Sequence, residues 1–207
     1  MNLERLEWFV ARGAGFTAFG LLTAAVVTGL ALSLRLTSPR WPAIVTKEVH
    51  RTLTTLSLWM LGLHLTMLVV DSQSGISAVG AVLPFRAEYR PWATSLGIVA
   101  MYTILAVIVS TRLRAWIGHR RWRSLHYLAF LAYGAALLHG LLAGTDTGAT
   151  WASLVYIASA ALVGSLVVAR IVGPRRQPAD GNGAPHRGPM PSRPSTTGGL
   201  PPLRQRV

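Results

Sequence analysis

The sequence predicts an all-α, integral membrane five-helix bundle, N-terminus outside and C-terminus inside, followed by a disordered cytoplasmic tail. Three observations carry this expectation. First, 51% of the 207 residues are hydrophobic and only 13% are charged, about half the charged share of a typical soluble domain. Second, the charges cluster and leave five uncharged stretches, 13–34, 52–70, 91–111, 124–145 and 147–169, each of 19 to 23 residues. A bilayer span needs about 20 residues at a rise of about 1.5 Å each. Third, the net charge of +13 is one-sided. Segments 35–51, 112–123 and the tail from Arg170 hold +3, +5 and +6, whereas 1–12 and 71–90 are neutral and Asp146 adds −1. An excess of arginine and lysine marks the cytoplasmic side. Basic residues so placed orient the chain and meet anionic lipid; no nucleic-acid partner is expected.

Taken in order, residues 1–12 read as an interfacial lead-in, with Trp8 and Phe9 at headgroup level. The opening MNLERLEWFVARG lacks the short apolar core and small-residue cleavage site of a signal peptide, so the first span is expected to stay uncleaved. Span one, 13–34, is rich in Ala, Gly and Thr, which let helices approach closely in lipid. An inner connection with Pro39 and Pro42 leads to span two, expected from near Glu48 to Val70 and closed by Asp71. The uncharged stretch 72–85 is too short to span and holds Gly75, Gly80 and Pro84, which makes it a loop or interfacial segment. Span three returns inward, a basic loop of five arginines follows, and span four is expected to start at Ser124. A short GTDTG turn leads to span five. The domains expected are a membrane domain over 1–172 and a Pro-, Gly- and Arg-rich tail over 173–207 with almost nothing to bury. Cysteine is absent, so neither disulfides nor thiolate metal sites are available.

The chemistry-bearing residues are two histidine pairs, in HRTLTTLSLWMLGLH (50–64) and HYLAFLAYGAALLH (126–139). Ionisable residues inside membrane spans are costly and point to function. Spans two and four are parallel by the charge argument, so His50 lies level with His126 near the inner side, and His64 with His139 near the outer side. Within each span the histidines are about 20 Å apart along the axis. Two imidazoles facing each other at each level suit the axial positions of a six-coordinate b-type haem, and bis-histidine ligation with no open site suits electron transfer. Phase is a partial check. His50 and His64 fall within about 40° of one another, but the 13-residue step puts His139 about 140° from His126 on an ideal helix. Span four therefore needs extra winding or a bulge, and the sequence points to Tyr133–Gly134 for it. Supporting groups for the haem propionates are Arg51, Arg121 and Arg123 inside and Arg86 and Arg90 outside. Gly20, Gly62, Gly134, Ala129 and Ala132 are candidates for making room for the porphyrin. His119 and His186 read as surface and tail residues, the tryptophans at span ends as an aromatic belt, and Trp59 as packing on a haem or facing lipid.

The HR…H and LHY…HG spacing on two parallel spans resembles the membrane domain of ferric reductases and NADPH oxidases, over about residues 10–170. The resemblance implies two b-type haems, His50 with His126 holding the inner one and His64 with His139 the outer. That family usually has six spans, and the resemblance explains five by loss of the first. The tail has no room or motif for the family's flavin and nicotinamide domain, which implies a haem-only short branch. The implied role is an electron-transfer subunit in the cell membrane. It takes electrons from a separate flavoprotein or a quinol and passes them to an outer-side redox acceptor, a partner reductase or ferric species. Two other readings are a quinol-linked diheme cytochrome b and a haem-free transporter or assembly factor using its histidines for protons or metal. A third, a metalloreductase acting alone on ferric chelates, would still need an external donor.

Overall fold

A computed structural model of the chain describes residues 3–36 and 38–173. The tail expected to be disordered lies outside the described residues from 174 onward. The helices are α1 (Leu3–Ser33), α2 (Ala43–Val70), α3 (Ala78–Val82), α4 (Pro91–Arg112), α5 (Arg114–Ile117), α6 (His119–His126), α7 (Leu128–Ala143) and α8 (Thr150–Val172). Among the described residues the only non-helical pairing is an isolated bridge between Ser38 and Trp41. Five segments are long and apolar enough to cross a bilayer: most of α1, α2, α4, α6 with α7, and α8. The chain is an all-α, multi-pass membrane protein.

Three boundaries differ from expectation, each for a local reason. The stretch 1–12 is not a separate lead-in, because α1 is already helical from Leu3. The run LERLEWFVAR contains neither Gly nor Pro, so nothing stops the helix from extending outward. Helix α2 starts at Ala43 rather than near Glu48, directly after Pro42, whose extended backbone (φ −72°, ψ 157°) stands at the N-cap. Span four starts at His119 rather than Ser124, because Gly118 at φ 80° breaks the chain there and a new helix begins behind it. The close of α2 falls at Asp71 as expected.

Span four tightens at Tyr127 and not at Tyr133–Gly134, through which α7 runs unbroken. Tyr127 N–H donates to Ser124 O at 3.3 Å, and Phe130 N–H donates to Tyr127 O at 3.1 Å. These i−3 bonds wind the chain at about three residues per turn, adding about 20° per residue to the α-helical 100°. The four steps from His126 to Phe130, the part of this tightening that lies between the two histidines, recover about 80° of the roughly 140° deficit.

Helix α1 packs along α2, and α4 along α7, while α8 touches α1 and α7. Phe19, Val26 and Leu30 of α1, Tyr133 of α7, and Tyr156 and Val163 of α8 form the buried apolar cluster. Phe19 stacks on Tyr133 with centroids 6.0 Å apart. Polar bonds tie the same helices together. Ser57 Oγ of α2 donates to Ala18 O of α1 at 3.1 Å, and Ser159 Oγ of α8 lies 2.6 Å from Tyr133 Oη and 3.1 Å from Thr23 Oγ1. Large apolar side chains stay on the outside, such as Trp59 and Ile157, where lipid is their solvent.

At the outer end the Arg12 and Asp146 side chains form an ion pair, with Arg12 Nε donating to Oδ2 at 3.0 Å. The same guanidinium lies 3.8 Å from the Trp8 ring centroid. The contact joins α1 to the α7–α8 turn. Arg12→Ala is expected to lower stability by about 1 kcal/mol in low salt. Thermal unfolding in detergent at two ionic strengths checks this, since the difference from wild type should shrink in high salt.

Candidate cofactor site: two imidazole pairs between helix pairs

Helix α2 packs on α1, whereas α6 and α7 pack on α4, and the α2 histidines face His126 at the end of α6 and His139 on α7 across the space between. The His50 and His126 ring centroids are 6.4 Å apart with planes at 66°, and those of His64 and His139 are 6.5 Å apart at 70°. An imidazole nitrogen sits about 2 Å from a bound metal, and about 1 Å further on lies its ring centroid. Two rings on opposite sides of one metal therefore have centroids about 6 Å apart. Both pairs meet this requirement.

Three of the four rings are held by the same device. His64 Nδ1–H donates to Ala11 O at 2.7 Å, His50 Nδ1–H to Ala25 O at 2.8 Å, and His139 Nδ1–H to Ala93 O at 2.8 Å. In each case a glycine stands four residues after the accepting alanine: Gly15, Gly29 and Gly97. The carbonyl of residue i already accepts the helical N–H of residue i+4 but has a second lone pair. The side chain at i+4 normally covers that carbonyl, because helical side chains lean toward the N-terminus. Glycine uncovers it. A Cβ on Gly15 would come within 2.8 Å of His64 Nδ1, one on Gly97 within 2.9 Å of His139 Nδ1, and one on Gly29 within 3.3 Å of His50 Cε1. Fixing Nδ1 as the donor leaves Nε2 as the unprotonated nitrogen able to bind a metal, the usual outer-shell arrangement of metal-bound histidines.

A cavity of about 300 Å³ opens at the outer pair, lined by His64, His139, Gly15, Gly97, Met101 and Ala136 among others. Arg12, Asp71 and Asp146 also border it. The outer cation beside this space is thus Arg12. Arg86 and Arg90, expected there, are exposed and outside the lining, and Arg90 donates instead to Leu142 O. On the inner side Arg51 is exposed and lies 3.9 Å from Glu48, while Arg123 donates to His119 Nε2 at 3.0 Å. His119 is exposed, as expected. Gly20 and Gly62 are exposed and lie outside the lining of the outer cavity. Ala132 is fully buried in α7.

Among the described residues no three His, Cys, Asp or Glu side chains converge as a metal-binding group. Each level thus offers two imidazoles, whereas a structural or catalytic zinc site takes three or four protein ligands. A b-type haem would take its two protein ligands at each level from these imidazoles, His50 with His126 and His64 with His139. The residues present fit haem b. Searches against family models, curated proteins and solved structures returned no match to this chain.

The sequence reading missed Gly15, Gly29 and Gly97, although their signal is visible. Ala-x-x-x-Gly occurs at 11–15 and 25–29, offset by the same 14 residues that separate His50 from His64, and again at 93–97; the spacing also recurs at 136–140, 160–164 and 169–173, so the 14-residue offset, not the motif itself, is the signal.

Proposed function

We propose that this chain is a diheme b-type cytochrome of the cell membrane that moves electrons between its two faces. The reading is supported above all by the two imidazole pairs, each at the spacing an intervening metal requires. Haem, when bound, supplies one-electron redox chemistry; the protein's part is ligation, orientation and electrostatics. His50 and His126 are the inner ligands and His64 and His139 the outer. Arg12 is the cation placed for an outer propionate. Were haem bound, each pair would hold its iron through two histidine nitrogens, ligation that suits electron transfer rather than oxygen binding. The donor is a separate flavoprotein or a quinol on the cytoplasmic side, and the acceptor a redox partner or ferric species outside. The protein serves as the electron-transfer subunit of an oxidoreductase, as the resemblance to ferric reductase membrane domains implies.

Pyridine haemochrome analysis of purified protein tests this. Two haem b per chain are expected, falling to one in His64→Ala and to one in His126→Ala. Because the facing ring planes are 66° and 70° apart, the oxidised protein should give strongly anisotropic low-spin electron paramagnetic resonance signals. Well-folded protein free of haem would overturn the reading in favour of a membrane protein that uses its histidines for protons or metal.

A further inference from the structure

His126 is the exception among the four rings. Its Nδ1 is buried and has no hydrogen-bond partner. The equivalent anchor can be located: Ala93 and Gly97 of α4 serve His139, and one 14-residue repeat further along α4 stand Val107 and Thr111. The glycine is replaced by a β-branched residue, and the carbonyl is already taken. Val107 O accepts Ser110 Oγ–H at 2.9 Å and Thr111 Oγ1–H at 2.7 Å. Thr111 Oγ1 in turn accepts Trp122 Nε1–H at 3.2 Å. Trp122 stacks on His126 with centroids 5.1 Å apart, and the Arg114 guanidinium lies 4.3 Å from the other ring system's centroid at Trp122. His126 is therefore packed against an aromatic ring where its three counterparts are hydrogen-bonded to backbone.

We infer that the two centres are built unequally: His126 is an unanchored ligand, so the inner centre has the higher midpoint potential and the weaker hold on its haem. The inference rests on the diheme reading. An Nδ1–H bonded to a carbonyl makes the imidazole a stronger electron donor and fixes its plane. Such ligands stabilise the oxidised metal and lower its potential. The outer centre has two of them and the inner centre one, His50. The charges act in the same direction. Asp71, Asp146 and Arg12 border the outer cavity, with Arg12 paired to Asp146, so one carboxylate there is left without a cation, while the Arg114 guanidinium lies over Trp122, which stacks on His126 of the inner pair. Positive charge nearby favours the reduced state, and negative charge the oxidised.

The test is a spectroscopic redox titration of the full chain in detergent. His64→Ala isolates the inner centre and His50→Ala the outer one. The inner centre is expected to titrate at the higher potential and to lose its haem faster to excess apomyoglobin. In the double variant Ser110→Ala, Thr111→Gly, which frees Val107 O and clears its approach, the inner midpoint should fall toward the outer one while the outer midpoint stays put. If that variant fails to fold, the comparison of the two single-centre proteins decides alone. Where the wild type purifies with one haem, its loss in His64→Ala and survival in His126→Ala supports the inference, and the opposite pattern overturns it. Two bound haems with equal or reversed midpoints overturn the inference and leave the diheme reading standing. Folded protein without haem overturns both.

Discussion

Gly97→Val and Gly15→Val should each empty the outer site and leave the inner one filled, halving the haem content of the purified protein. A valine Cβ at 97 would sit 2.9 Å from His139 Nδ1, and at 15 it would sit 2.8 Å from His64 Nδ1, both closer than side-chain carbons pack. The imidazole cannot yield and keep its place. Its retreat breaks the bond to Ala93 O or Ala11 O and displaces Nε2. Loss of an outer-shell partner alone weakens metal binding by about 10- to 100-fold, and here the ligand itself is displaced. Gly29→Ala is the graded control. Its Cβ would meet His50 Cε1 at 3.3 Å, a contact that a shift of a few tenths of an ångström relieves, so most of the inner haem should be retained. Haem stoichiometry by pyridine haemochrome and the count of low-spin signals read the result. A Gly97→Val protein that keeps two haems with unaltered spectra would show that the Ala-x-x-x-Gly segments have nothing to do with ligand placement.

How far this site was legible follows from what each signal depends on. Span number depends on length and hydropathy, which are properties of contiguous sequence, and the five charge-free stretches map onto the five spanning segments. The level pairing of the histidines needed only the orientation argument and a rise per residue. Helix ends were less legible, because they depend on single residues such as Pro42 and Gly118 acting beyond the apolar stretch. The phase of span four was visible as a conflict, but its location was not. Tightening at Tyr127 comes from two backbone hydrogen bonds that no residue type announces. Arg12 was read as part of a neutral lead-in because its partner Asp146 is 134 residues away. The glycines were overlooked for a different reason. They sit opposite the histidines on neighbouring helices, α1 and α4, and acquire meaning only once the pairing of α1 with α2 and of α4 with α7 is known.

The second large effect concerns the polar link that holds α7, the carrier of His139, against α1 and α8. Ser159 is buried between the three helices, where its hydroxyl pairs with Tyr133 Oη at 2.6 Å and Thr23 Oγ1 at 3.1 Å. Leucine at this position removes both bonds and adds bulk against Phe19 and Tyr133, which already stack. A buried hydroxyl left without a partner costs about 1–3 kcal/mol in proteins generally, although bonds between membrane helices average nearer 0.6 kcal/mol. Overfilling a packed interior adds about 1–3 kcal/mol. Ser159→Leu should therefore destabilise by about 2–4 kcal/mol, which for a chain of this size lowers Tm by roughly 5–15 °C. Ser159→Ala and Tyr133→Phe separate the two contributions, since each removes the bond without the bulk and should lose about 1 kcal/mol. In the double variant the losses should fail to add, because each removes the other's partner. Tyr133 stands six residues before His139 on the same unbroken helix, so loosening of α7 should reach the outer ligand. Heating Ser159→Leu is expected to release the outer haem below the temperature at which far-ultraviolet circular dichroism reports helix loss. Simultaneous release and unfolding would mean that α7 does not move as a unit, and an unchanged Tm would mean that the Tyr133–Ser159–Thr23 link does not hold the bundle together.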